Sequence, residues 1–212
     1  MKLYMFEHCS LCFRVRMTAA LKGMHLQEIV VLDDDTDTIV GLVGRRVIPV
    51  LELDDGRPML ESMAMVRHIE GLGKPVLTGA ERPEIAAWEE CATPKLAHLT
   101  QPRYPLLGLR EFAMVAAHDH YVMSKRKALG DLVELRAQTR TFLKDLTPDL
   151  EALDRMIESP RAVNGELSLD DVRVLPLLRS AAVVAGLRFP GHVRNYYEAM
   201  MDRIGHRPLP SI

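Results

Sequence analysis

The stretch Met1-Lys2-Leu3-Tyr4-Met5-Phe6-Glu7-His8-Cys9-Ser10-Leu11-Cys12 sets a short apolar, aromatic run directly before a Cys-x-x-Cys pair. Residues 2–6 read as a strand. From Phe13 the apolar residues Phe13, Met17, Ala20 and Leu21 recur at helical spacing, with Gly23 as a stop. A helix that begins at or just after Cys9 puts that thiol among unpaired N–H groups, at the positive end of the macrodipole. Both favour thiolate, and cysteines so placed in Cys-x-x-Cys motifs fall from about 8.5 to roughly 3.5–7.5. Arg14 and Arg16 are expected to add positive charge nearby. Cys12, one turn on, can approach closely enough for a disulfide. Cys9 is the expected nucleophile and Cys12 the resolving thiol.

Outward from this pair, Leu26 to Leu32 is rich in Ile and Val and reads as a second strand. Asp33-Asp34-Asp35-Thr36-Asp37 follows. It lacks the glycine and distal Glu of a calcium loop, so it is expected to be a solvated loop whose Asp or Thr caps the next helix. That helix should end near Gly44. Val47 to Leu53 reads as a third strand interrupted at Pro49, Asp54-Asp55-Gly56 as a hairpin turn, and Pro58-Met59-Leu60 as the returning strand. Glu61 to Leu72 closes the region as a helix ended by Gly71 and Gly73. The expected domains are 1–73, an α/β sandwich with mixed strand directions, a linker at 74–82 in the stretch Lys74 to Pro83 that carries two prolines and a glycine, and a helical domain at 83–212.

In the second part, Leu146, Leu150, Leu153 and Ile157 form one apolar stripe. Ser168-Leu169-Asp170-Asp171 has the form of a capping box. Val172 to Leu187, apolar nearly all round, is the expected central helix, with Pro176 near its first turn. His118 and His120 lie here without a partner motif.

The net charge of −2, from 27 Lys and Arg against 29 Asp and Glu, offers no global basic field for nucleic acid or an anionic membrane. No apolar run reaches the roughly 18–20 residues of a membrane span. The polar turn after Phe6 is too early for a secretory signal, so a cytoplasmic protein is expected. Three cysteines make a poor disulfide framework. Cys91, in a helical stretch, is expected to be a buried, inert thiol. A structural zinc needs four ligands. Only one cysteine pair is present, with His8 beside it, so no metal is expected and His8 reads as a loop residue that tunes the site.

Two further features remain open on their own. Ile48-Pro49 fits either a cis peptide in a tight turn or an ordinary edge-strand proline. Glu61-Ser62 fits either a plain helix cap or a receiver for a carboxylate and an ammonium group.

Together these residues resemble the thioredoxin fold with a helical domain behind it, as in the glutathione S-transferase superfamily. More narrowly, they resemble the large two-domain bacterial glutaredoxins of the glutaredoxin 2 type. The resemblance spans His8-Cys9-x-x-Cys12, Val47-Ile48-Pro49, Glu61-Ser62-Met63, Pro75-Val76-Leu77-Thr78-Gly79, Ala162 to Ser168 and Pro176-Leu177-Leu178-Arg179. It implies a thioredoxin-like domain followed by an all-α domain like that of the transferases, and glutathione-dependent reduction of protein disulfides and glutathione mixed disulfides. It implies glutathione as cosubstrate, bound by Leu11, Val47, Ile48, Pro49, Glu61 and Ser62, with disulfide-bearing or glutathionylated proteins as partners and a monomer as the assembly. The family usually carries Pro-Tyr between its cysteines, where this chain has Ser10-Leu11, a departure that bears on loop stiffness and redox balance. The alternatives are a transferase conjugating glutathione to electrophiles, for which Ser10 could serve, and a non-catalytic binding module.

Overall fold

The computed structural model describes all 212 residues. The first domain runs β1 (Lys2–Met5), α1 (Ser10–Leu21), β2 (Gln27–Val30), α2 (Thr36–Val43), β3 (Val50–Glu52), β4 (Pro58–Met59) and α3 (Ser62–Glu70). Its sheet has the order β2-β1-β3-β4, with β1 parallel to β2, antiparallel to β3, and β3 antiparallel to β4. This is the thioredoxin-like arrangement, mixed in direction as expected. β1 lies inside the sheet, so Leu3, Tyr4 and Met5 are all buried. Ile48–Pro49 is cis and leads directly into β3.

Six helices follow: α4 (Pro83–Thr100), α5 (Val115–Leu129), α6 (Leu132–Ala137), α7 (Thr139–Met156), α8 (Leu169–Ala181) and α9 (Gly191–Ile204). Single 3-10 turns at Tyr104–Leu106 and Arg110–Phe112 separate α4 from α5. No helix is long and apolar enough to cross a membrane. The stripe Leu146, Leu150, Leu153 and Ile157 is buried, and Ser168 and Asp171 complete the capping box.

α1 has two apolar faces. Cys12, Val15 and Ala19 pack on the sheet, whereas Phe13 and Met17 join the core of the helical domain. The linker is pinned as well. The Gly79 N–H donates to the Leu167 carbonyl at 2.7 Å, and Asn164 Nδ2 donates to the Ala80 carbonyl at 2.7 Å.

Several expectations need correction. α8 starts at Leu169 and ends at Ala181, so Pro176 falls in its interior rather than its first turn. An interior proline costs about 3 kcal/mol, and burial of most α8 side chains, Val172 and Val174 to Ala181 among them, offsets it. Cys91 is helical but exposed. The buried stripe of α4 is Ile85, Trp88, Ala92, Leu96 and Leu99, and Cys91 falls outside it. Asp35 caps α2, its carboxylate accepting the Thr38 N–H at 3.0 Å. Asp33, however, is not solvated. It is buried and meets His120 of α5, because the helical domain covers the start of the acidic run.

Candidate active site

Cys9 is the N-cap of α1, half-buried, with extended backbone angles. Its Sγ accepts the Cys12 N–H at 3.3 Å, so one orphan donor of the helix end already points at the sulfur. The Cys9 thiol is lowered from 9.0 to about 6. The main cause is the hydrogen bond from the Cys12 thiol. Burial opposes it, and the charge carried by His8 and the backbone N–H groups of Cys12 and Leu11 add to it. Cys12 is raised well above its ordinary value, first by burial and then by its bond to Cys9 and the charge there. The pair therefore holds its shared proton on Cys12 and leaves Cys9 as the attacking sulfur. Both are free thiols.

Arg14 and Arg16 do not have the free role expected of them. Arg14 is buried and paired with Glu89 of α4, and Arg16 Nε donates to Glu28 at 2.7 Å. Buried His8 acts to lower the Cys9 thiol, and the charge on Cys9 in turn acts to raise Arg14 and Lys125.

A cleft of about 370 Å³ opens at Cys9. The first domain lines it with Phe6, His8, Ser10, Leu11, Asp33, Arg46, Val47 and Ile48, and the second with Gln101, Tyr104, Tyr121, Ser124 and Lys125. Leu11, Val47 and Ile48 thus line one cleft with Cys9. Glu61 and Ser62 stand at the N-terminus of α3, Glu61 exposed and without a side-chain cap bond, Ser62 buried. Neither they nor Pro49 line this cleft. Burial pushes Lys125 below its ordinary value, while the charges of Asp33 and Cys9 act to raise it.

The helical domain contributes far more to the site than its sequence announces. Glu111, fully buried in the turn Arg110–Phe112, accepts from the backbone N–H of His8 at 3.0 Å and from its ring Nδ1 at 2.7 Å. His120 Nδ1 lies 2.7 Å from Asp33, and Arg179 of α8 donates to the Glu7 carbonyl at 3.0 Å. Glu111 sits in the second of two short turns without periodic apolar spacing, so no local pattern marks it. Tyr104, Tyr121 and Lys125 likewise carry no motif. No group of three or more His, Cys, Asp and Glu side chains converges in a metal-binding arrangement.

Comparison with known proteins agrees with this geometry. Residues 84–207 match the family described as glutaredoxin 2, C terminal domain, and residues 8–72 match the glutathione S-transferase N-terminal domain. Glutaredoxin 2 of Escherichia coli (strain K12) is 39% identical over 201 residues, 94% of each chain. The crystal structure of glutaredoxin 2 from Salmonella typhimurium in complex with glutathione superposes with a TM-score of 0.94 at 34% identity, covering 98% of this chain and 96% of that one. Gtt2 from Saccharomyces cerevisiae, at 20% identity and a TM-score of 0.61, shares the fold over 97% of this chain. The chain belongs to the glutaredoxin 2 family.

Proposed function

We infer that this chain is a glutathione-dependent thiol–disulfide oxidoreductase in which Cys9 attacks and Cys12 resolves. The observation that carries the reading is the geometry of the pair: Cys9 caps α1 with its Sγ accepting the Cys12 N–H at 3.3 Å, and Cys12 lies buried beneath it. With a glutathionylated protein, Cys9 thiolate attacks the glutathione sulfur. The protein thiolate leaves and takes up a proton, and Cys9 becomes a mixed disulfide with glutathione. A second glutathione thiolate then attacks the glutathione sulfur of that mixed disulfide, releasing oxidised glutathione and restoring Cys9. With a protein disulfide, Cys9 forms a mixed disulfide with one substrate sulfur. Cys12 loses its proton and attacks Cys9 Sγ, the reduced substrate leaves, and two glutathiones reduce the Cys9–Cys12 bond.

Val47, Ile48 and Pro49 would run beside the cysteinyl backbone of glutathione, with Leu11 against it. Glu61 would pair with the ammonium of its γ-glutamyl end, and the N–H groups at Ser62 would receive the carboxylate. Glutathione as the ligand is supported by the complex of the Salmonella relative with glutathione, and the placement of part of it by Leu11, Val47 and Ile48 lining the cleft. We also propose domains at 1–73 and 83–212 joined by the linker 74–82, and a monomer working in the cytoplasm on disulfide-bearing or glutathionylated proteins. The deciding experiment is reduction of a glutathione mixed disulfide by glutathione, run beside conjugation of glutathione to an electrophile. Fast reduction with conjugation near background is expected, and the reverse would overturn the reading in favour of a transferase.

A further inference from the structure

His8, the neighbour of Cys9 in sequence, is held from the other domain. A single oxygen of Glu111 accepts both its backbone N–H, at 3.0 Å, and its Nδ1, at 2.7 Å. The Glu111 carbonyl in turn accepts the Asp33 N–H at 3.0 Å. Aromatic rings box the imidazole. Phe6 and Phe112 stack on it at 5.6 and 5.5 Å, Tyr104 is tilted at 4.5 Å, and Tyr121 meets it edge-on at 5.5 Å. With Nδ1 committed to Glu111, Nε2 has no protein partner, and the ring borders the cleft that Cys9 shares.

A buried carboxylate costs stability unless it is paired and hydrogen-bonded. The Glu111 side chain is 0% exposed, and its second oxygen, Oε2, has no hydrogen-bond partner. Its compensation therefore comes almost wholly from His8. An apolar side chain would fill the same space without this cost, so packing alone does not account for a carboxylate here.

We propose that Glu111 is a positioning residue for Cys9 that acts through His8, fixing the imidazole with Nδ1 on the carboxylate and the ring edge toward the cleft that holds the sulfur. The inference deepens the function proposed above and rests on Cys9 being the nucleophile. It makes the helical domain part of the exchange machinery rather than only a wall of the cleft. The electrostatics agree with the geometry. Burial pushes the Glu111 carboxyl up, but the hydrogen bond and charge of His8 more than offset it and leave it below its ordinary value. The other titratable groups around Cys9 are Cys12 and Arg14 of α1, Asp33 and Arg46, Lys125 and Tyr121 of α5, Tyr104, and Arg179 of α8. Arg14 is bound to Glu89 and Arg179 to the Glu7 carbonyl, so of these groups beside Cys9 it is His8 that Glu111 holds.

The test is the pH profile of Cys9 alkylation by iodoacetamide in the reduced full-length protein, read by peptide mass with no glutathione present. The unaltered protein should show a midpoint near 6. Glu111→Gln should raise it by about one unit, roughly a tenfold loss of reactive thiolate on the acid side. Glu111→Asp should recover part of that loss. Arg110→Ala cuts the neighbouring interdomain ion pair with Glu7 and leaves Glu111 in place, so it should not move the midpoint. In a His8→Gln background, Glu111→Gln should produce no further rise. Should Glu111→Gln fail to fold, His8→Gln alone carries the same expected rise. An unmoved midpoint in Glu111→Gln, an equal shift in Arg110→Ala, or an undiminished shift in the His8→Gln background would each overturn the proposal. Because alkylation needs no glutathione, this outcome is separate from the mixed-disulfide assay. Failure there with a normal profile here would sink the function and leave the relay standing.

Discussion

The two domains bury their apolar residues on different scales. The helical domain holds one continuous core of 35 buried residues, whereas the sheet domain has two clusters, of nine and four. The large core also does not stop at the domain boundary, for it takes in Phe13, Met17 and Val66 from the first domain. The nucleophile thus sits on the domain less able to stand alone, at the head of a helix whose outer face belongs to its neighbour's core. Buried ion pairs repeat the pattern: Arg14 with Glu89 and His8 with Glu111 both cross between domains. A small active-site domain that borrows core and electrostatics from a larger partner gains a fixed site without an extensive interior of its own.

The strongest way to break this division is at the sulfur. Cys9→Ser should abolish exchange with both glutathionylated and disulfide substrates, since no other group in the cleft can supply the attacking thiolate. Turnover within a few-fold of normal in a coupled glutathione assay would show that the nucleophile lies elsewhere.

Next in size is separation of the domains. In a fragment of residues 1–82, Phe13, Met17 and Val66 would face water. Each buried side chain of this kind is worth about 1.5–3 kcal/mol, and their combined loss approaches the whole stability of a domain, about 5–15 kcal/mol. The fragment should show a broad, low-temperature melt by circular dichroism and bind a hydrophobic dye. A fragment that melted sharply, stayed active and kept its preference among large and small disulfides would remove any role for the helical domain.

Cys12→Ser has a narrower effect. It should leave reduction of glutathione mixed disulfides and lose reduction of protein disulfides, because only the second route needs a resolving thiol. It also removes the thiol that donates to Cys9 Sγ, and a serine hydroxyl replaces that bond only in part. The midpoint of Cys9 reactivity should therefore rise from about 6. Thiolate is lost as pH falls through the midpoint, so the variant's deficit should be largest on the acid side and vanish at alkaline pH. Equal loss of both reductions at all pH values would contradict the assigned roles.

What was legible in the sequence follows the same line between local and long-range physics. The strand, cysteine pair and helix of residues 2–21, the Asp35 cap, the hairpin at Asp54-Asp55-Gly56 and the Ser168 capping box are local patterns, and each is present. The stripe Phe13, Met17, Ala20 and Leu21 was visible too, but it faces the other domain. The stripe on its own sheet, Cys12, Val15 and Ala19, is made of smaller side chains than Phe13, Met17 and Leu21. Leu11, Val47 and Ile48 could be placed from motif resemblance. Glu111, Asp33 and His120 could not, because their partners lie 103 and 87 residues away, and nothing nearby marks a charge that will be buried. Arg14 and Arg16 do bring charge to the pair, but their partners were hidden for the same reason. Their charge was readable, and the carboxylates that neutralise it were not.

The smallest expected effect concerns how the linker follows the helical domain. Gly79 has ordinary φ, so conformational freedom does not call for glycine there, but space does. A Cβ would meet the Glu166 carbonyl oxygen at 2.6 Å and the Leu167 carbonyl oxygen at 3.1 Å. These are backbone atoms, held by the Gly79 N–H bond to Leu167 at 2.7 Å and by Asn164, which reaches the Ala80 carbonyl. They cannot swing away as a flexible side chain would. Gly79→Ala should therefore push the linker off the Asn164–Ser168 segment at a cost of about 1–3 kcal/mol, the usual range for overpacking. The loss should appear as a lowered midpoint in urea with an unchanged slope. Cys9 reactivity should stay as it was, because the Glu111–His8 and Arg14–Glu89 contacts hold the site independently of the linker. If Gly79→Ala instead lowered exchange as much as it lowered stability, the linker's seat would be part of what aligns the two domains at Cys9. The site would then depend on the whole interface rather than on the few charged contacts beneath it.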